Sequence, residues 1–92
     1  MDLKLSGKVA VVLAGSAGIG KGIAEVLAQE GCDIAICARS EDRLLDTADF
    51  IQKEYNVEVF SEVVDVSSAS ELEIFLKGVV ERFGVIDILI NN

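Results

Sequence analysis

Apolar residues along this chain fall into two rhythms that take turns. Five consecutive ones, Val9 to Leu13, with valine at three positions, predict a short strand from about Lys8 to Leu13 that is buried on both faces. Ile23, Val26 and Leu27 then recur at helical spacing, so a helix is expected from about Gly18 to Glu30, with Gly31 placed at C′ to end it. Asp33 to Ala38 is a second apolar strand. Ser40 is a candidate N-cap, Glu41 and Asp42 complement the dipole of the helix behind it, and Leu44, Leu45, Ala48, Ile51 and Tyr55 keep one face apolar as far as Asn56. Val57 to Val64 reads as a third strand finishing at Asp65. Ser67, Ser68 and Ser70 compete to cap the next helix, and both Ser68 with Glu71 and Ser70 with Glu73 have capping-box spacing. The stripe Leu72, Phe75, Leu76, Val79, Val80 and Phe83 runs to Gly84, after which Val85 to Ile90 predicts a fourth strand leading into Asn91 and Asn92.

The order is therefore βαβαβαβ with short connections and no proline. Right-handed crossovers turn that order into a parallel sheet covered by helices, which is half of a doubly wound α/β fold with expected strand order 3-2-1-4. Such sheets bind ligands at the carboxyl ends of their strands. Residues 1–92 are expected to form one partial domain with no second domain. A chain of 92 residues buries only somewhat over about 60% of its unfolded surface, so the core is small. Hydrophobic content of 51% excludes a disordered chain, and no apolar run approaches the roughly 18 residues of a membrane span. Met1 to Lys8 carries no long apolar stretch, so no secretory leader is visible and a cytoplasmic location is expected.

Charge narrows the partners. A net charge of −8 disfavours broad electrostatic binding to nucleic acid or to anionic lipid, and the acidic positions read as solvated helix faces. An anionic ligand must then be gripped locally, by main-chain amides and one or two placed cations. Cys32 and Cys37 are the only cysteines, and a spacing of five along a strand sends them to opposite faces, unable to bond to each other. With histidine absent, no metal site is expected. Two buried, reduced cysteines are the simple account.

Candidate chemistry concentrates where the first strand ends. Gly15, Gly18, Gly20 and Gly22 fall within eight residues, between strand and helix. Glycines there let a backbone approach a ligand and adopt positive φ, while the helix start offers unpaired N–H groups and about half a positive charge. A phosphate or diphosphate suits that end. A turn that only closes a βα unit is the plainer alternative, but it needs one or two glycines and this one has four. Two phosphate templates fit imperfectly. GSAGIGKG matches a P-loop with Lys21 in the lysine place, yet Gly22 stands where a Ser or Thr hydroxyl should hold magnesium. The dinucleotide pattern GxGxxG has Ile23 at its third glycine.

Two further residues bear on the ligand. Arg39 follows the second strand, about twenty residues after the turn, where an acid would take a ribose 2′-hydroxyl and a cation a 2′-phosphate. Ala38 occupies the place of the acid, which favours NADP over NAD; an Arg39 facing solvent beside Glu41 and Asp42 is the alternative. Asp65 can either bond an adenine amino group or cap the serine-rich turn.

Taken together, these segments resemble the short-chain dehydrogenase/reductase family over essentially the whole chain. KVAVVLAGSAGIG from Lys8 to Gly20 is similar to that family's KVALVTGASRGIG opening, CARSEDRL to the end of its second strand, VDVSS to its Asp-Val adenine contact, and GVIDILINN from Gly84 to Asn92 to the strand entering its NNAG motif. The flavour is that of 3-oxoacyl carrier-protein reductases and NADP-dependent sugar or polyol dehydrogenases. The resemblance implies a Rossmann-like fold and hydride transfer between a nicotinamide and an alcohol or ketone. It also implies cofactor contacts from Gly15, Ser16, Ala17, Gly18, Ile19 and Gly20 at the diphosphate, Arg39 and Ser40 at the ribose, Asp65 and Val66 at the adenine, and Asn91 and Asn92 at the last strand.

Departures from the family pattern matter. Its Thr-Gly is Leu13-Ala14 here, so a methyl stands where backbone and cofactor approach, and its frequent basic residue before the second glycine is Ala17. The family's catalytic Ser and Tyr-x-x-x-Lys correspond to nothing in this sequence, since Tyr55 is followed four residues on by Val59. The expectation is thus the nucleotide-binding N-terminal half of an NADP-dependent oxidoreductase, truncated and inactive alone, with no catalytic residue among the 92. A stand-alone nucleotide-binding or oligomer-forming module is the alternative, because Ile86, Ile88, Leu89 and Ile90 would line an exposed sheet edge. That edge would serve either a homo-oligomer or pairing with the missing C-terminal half. A small P-loop nucleotide hydrolase is a third, minor alternative.

Overall fold

The strand β1 (Val9–Leu13) runs through the middle of the sheet with all five residues buried. An unbroken apolar run is stable there only if both faces are covered, and the alternation of side chains along a strand divides it between two layers. Val9, Val11 and Leu13 pack on one side, Ala10 and Val12 on the other. The computed structural model describes residues 5–14 and 18–92. Within them β1 is followed by α1 (Gly18–Gln29), β2 (Asp33–Ala38), α2 (Glu41–Tyr55), β3 (Val59–Val63), α3 (Ala69–Phe83) and β4 (Ile88–Asn91). The four strands are parallel, in the order β3-β2-β1-β4.

That order decides where the helices go. The chain steps outward from β1 to β2 to β3, then returns across the sheet to place β4 on the far side of β1. Right-handed crossovers in opposite directions put their helices on opposite faces. Accordingly Ala24 and Ala28 of α1 and Leu44 and Ile51 of α2 share a layer with Ile34 and Ile36, whereas Phe75 and Val79 of α3 pack with Ala35, Cys37 and Val64. Phe60 of β3 stacks on Phe75 at 5.8 Å between ring centroids, which locks α3 against the sheet edge. Cys32 and Cys37 fall in different layers, both buried and free, as their spacing requires.

Helix ends follow the local sequence. Gly31, at φ +92°, ends α1 as the expected C′ residue: its N–H bonds to Ala28 O and that of Cys32 to Leu27 O, the paired bonds of a Schellman turn. Asn56 and Gly84 close α2 and α3 in the same left-handed conformation. Ser68 is the residue that caps α3, its Oγ accepting from Glu71 N at 3.4 Å. The reciprocal half of that capping box is absent, because Glu71 Oε1 accepts from Asp65 N instead. Ser70 already lies inside α3, so it cannot take the capping role its spacing suggested, and Glu73 pairs with Lys77 one turn on. Ser40 occupies the N-cap of α2 but its side chain makes no capping bond, contrary to expectation.

Two strands are shorter than expected. β3 begins at Val59, not Val57, because Asn56 is still turning in the left-handed region and Val57 packs on the core before the ladder starts. Val64 likewise lies beyond the strand's end. β4 begins at Ile88, not Val85, since Asp87 is held at the strand's mouth: its Oδ2 accepts from Val9 N at 2.8 Å while its own N–H bonds to Val9 O. Asp33 does the same at the other side, accepting from Glu58 N. These aspartates satisfy N–H groups where strands enter the sheet.

Position 14 carries strain. Ala14 leaves β1 at φ +60°, a left-handed conformation that costs a residue with a Cβ about 1–2 kcal/mol. Its surroundings hold it there: Asn92 Nδ2 lies 3.5 Å from its carbonyl, and its amide faces the buried Cys37 sulfur. The methyl expected to crowd a ligand thus strains the backbone as well. Replacing Ala14 by Gly should raise stability by about 1 kcal/mol after the added freedom of the unfolded chain is set against the relief. Urea unfolding should show a higher midpoint with an unchanged slope; a lower midpoint would show that the left-handed turn is not strained.

Candidate functional site

Because the strands are parallel, their carboxyl ends meet along one edge, and the connecting segments there bring distant residues together. β1 delivers Ala14, β2 delivers Arg39 and Ser40, the chain after β3 delivers Val64, Asp65 and Val66, and β4 delivers Asn91 and Asn92. The connection leaving β1 runs to α1 on one face and the one entering β4 comes from α3 on the other, so the strand order reverses between these neighbours, the place where sheets of this kind bind ligands. Asn91 stands beside Leu13 in the ladder, and Asn92 reaches the Ala14 carbonyl. Gly18, at φ +59°, opens α1 on the other side of the turn. Of the residues expected at the turn, Gly15, Ser16 and Ala17 lie outside the described residues. Ile19 is exposed at the start of α1, and Gly20 is buried in its first turn.

Beside that turn is a cavity of about 270 Å³. Ala14, Ala38, Val64 and Val66 give it apolar walls; Arg39, Ser40 and Arg43 give it polar ones. Arg39 and Ser40 come to it because β2 ends at Ala38, and Val66 because the chain turns from Asp65 to Ser68 after β3. Four of the other cations are engaged: Arg82 with Glu58 at 2.6 Å, Lys53 with Asp49, Lys77 with Glu73, and Lys21 over the Phe50 ring. Neither Arg39 nor Arg43 has an ion-pair partner among the described residues.

Asp65 makes the bonds that its turn-capping alternative calls for. Its Oδ1 accepts from both Ser67 Oγ at 2.6 Å and Ser67 N at 3.0 Å, and the side chain does not line the cavity. Those bonds hold its carboxyl below the ordinary aspartate range, with the Arg39 charge adding to the effect. Asp65 therefore shapes the turn that places Val64 and Val66 on either side of it.

Other candidates are displaced from the site. Lys21 lies within α1 with its ammonium 5.9 Å from the Phe50 ring on α2, so it does not serve a phosphate turn as a P-loop lysine does. Burial pushes both thiols up, Cys32 further raised by Asp33, Asp87 and Glu30, so neither is a nucleophile at neutral pH. Tyr55 packs edge-on against Phe50 at the end of α2, far along the chain's opposite edge from Arg39. Among the described residues no cluster of three His, Cys, Asp or Glu side chains is placed to hold a metal ion, and no helix is long and apolar enough to cross a membrane. Arg43 is the site residue that the sequence pattern left unmarked. Arg39 lies before the N-cap of α2, outside the helix, so no helical spacing links the two and only the folded cavity joins them.

Known proteins share this arrangement. Residues 8–92 match the family described as short chain dehydrogenase. An uncharacterized oxidoreductase of Staphylococcus saprophyticus is 40% identical over 90 residues, which cover 98% of this chain and 38% of that protein. L-sorbose reductase from Gluconobacter frateurii, solved with NADPH and L-sorbose, superposes with a TM-score of 0.97 at 41% identity, over 100% of this chain and 35% of that one. A xylitol dehydrogenase solved with NAD+ superposes with a TM-score of 0.92 at 36% identity, over 97% of this chain and 34% of that one. The chain thus spans a little over a third of the length of the relatives it matches. With that family's model matching residues 8–92 and a TM-score of 0.97 at 41% identity over the whole chain, it belongs to the short-chain dehydrogenase family.

Proposed function

We propose that this chain is the nucleotide-binding part of an NADP-dependent oxidoreductase that moves a hydride between nicotinamide and an alcohol or ketone. The observation that carries the proposal is the cavity at the carboxyl edge of β2, where Arg39 meets apolar walls and has no ion-pair partner among the described residues. The residues fit the group. Val64 and Val66 offer a surface for an adenine ring, Ser40 has a hydroxyl not used for capping, and Arg39 supplies the charge that a 2′-phosphate needs. The start of α1 supplies main-chain N–H groups to a diphosphate. Similar structures hold either NADPH or NAD+, so the choice of the phosphorylated form rests on these side chains.

In this role the chain binds and orients. Its apolar walls exclude water from the adenine, its helix end and arginine fix the phosphates, and Asn92 braces the turn at Ala14. The nicotinamide, when bound, gives or takes the hydride. The only tyrosine of the sequence, Tyr55, is packed at a helix end with Val59 four residues on, so it does not supply the family's Tyr-x-x-x-Lys proton relay. The described contacts of β4 suit a second task. Ile88 and Ile90 are half-buried, Leu89 is 54% exposed, and apolar grooves flank the strand, one lined by Leu72, Leu76, Val80 and Ile86, the other by Ile19, Val26 and Ile90. We propose that this edge pairs with another chain or with the remaining length of a family member.

Two measurements test these proposals. Calorimetric titration of the protein should show binding of NADP in preference to NAD, and no magnesium-dependent binding of ATP. Tight ATP binding that requires magnesium, with no response to either dinucleotide, would contradict the oxidoreductase assignment. Sedimentation equilibrium should show association that grows with concentration and weakens on Leu89→Lys; a monomer at high concentration would exclude self-pairing through β4.

A further inference from the structure

We propose that Arg43 is a second specificity-determining residue for the nucleotide, closing with Arg39 on the 2′-phosphate from the helix side of the cavity; this rests on the NADP assignment above. The chain has three arginines among eight cations, against sixteen acids. One, Arg82, is spent on Glu58. The other two line the same cavity, from the end of β2 and from the first turn of α2. Both are exposed and neither has an ion-pair partner among the described residues, so both charges are available to an anion in that cavity. Glu41 and Asp42 are on the same turn and Asp65 is near enough to feel the Arg39 charge, yet no carboxylate of the described residues pairs with either arginine.

The helix adds to this. α2 has 15 residues, and its first N–H groups have no capping side chain, because the Ser40 hydroxyl leaves them unbonded. Ser40 and Arg43 thus face the cavity from the helix end that favours an anion, while Arg39 faces it from the strand. A planar guanidinium on each side suits the several oxygens of a phosphate better than one alone. A ribose 2′-hydroxyl gives Arg43 nothing to neutralise, so its contribution appears only with the phosphorylated ligand.

Calorimetry on the whole 92-residue protein separates the possibilities, using NADP and adenosine 2′,5′-bisphosphate against NAD and 5′-AMP. Arg43→Gln should weaken the two 2′-phosphorylated ligands about tenfold, the value of a charge-assisted hydrogen bond, and leave the other two within about twofold. Arg43→Lys should restore part of the loss, and Arg39→Gln with Arg43→Gln should lose more than either alone. Circular-dichroism melting of Arg43→Gln checks that α2 is intact. An unchanged NADP affinity in folded Arg43→Gln, or an equal loss for NADP and NAD, overturns the assignment of Arg43 while leaving the NADP proposal standing. If the native protein binds none of the four ligands, both fall together.

Discussion

Everything in this molecule follows from a strand that cannot meet water on either face. β1 is apolar throughout and buried throughout, so it must have a neighbour on each side and a helical layer above and below. Fully burying a valine or leucine side chain stabilises the fold by about 1.5–3 kcal/mol, which makes this register far better determined than any feature of the surface. Once β1 is central, the crossovers to β2 and back to β4 leave it on opposite sides, and the crevice at its carboxyl end is a consequence of topology, not of particular side chains. Ligand chemistry is then set by whatever the strands deliver to that edge.

What they deliver here is a mixture of family grip and local variation. The start of α1, the end of β2 and the turn after β3 sit where the short-chain dehydrogenases place them, and the superposition on a sugar reductase is close over the whole chain. Ala14 is the exception. It adopts the left-handed conformation that the turn demands, held between Asn92 and Cys37, although a residue with a Cβ adopts it at a cost. Strain tolerated at the mouth of a ligand site shows that the turn's path is imposed by the strands on either side.

The legible parts of the sequence were those with many redundant signals. The order of elements and the parallel sheet followed from repeated apolar runs and glycine stops, the 3-2-1-4 order from the likeness to doubly wound folds, and Gly31, Asn56 and Gly84 ended their helices as placed. Strand ends were less legible, since Val57 and Val85 look like strand residues but lie before their ladders begin, where Asn56 and Asp87 still direct the chain. Caps were less legible again. Ser40 has the right residue type and backbone but no bond, and Glu71 prefers the Asp65 amide to the Ser68 amide, choices that depend on neighbours brought in by tertiary structure. At the site, Arg39 was visible from its place after β2, whereas Arg43 looked like one more charge on a solvated helix until the cavity joined the two.

The central claim is that the carboxyl edge of β1 and β2, not the larger apolar groove beside α3, receives a nicotinamide dinucleotide. Amide chemical-shift mapping of the isotopically labelled protein titrated with NADP tests it most directly. The account predicts shifts at Gly18, Ile19, Gly20, Arg39, Ser40 and Val66, with Leu72, Leu76 and Val80 unmoved. Shifts confined to α3, or none at the strand ends at saturating ligand, would contradict it.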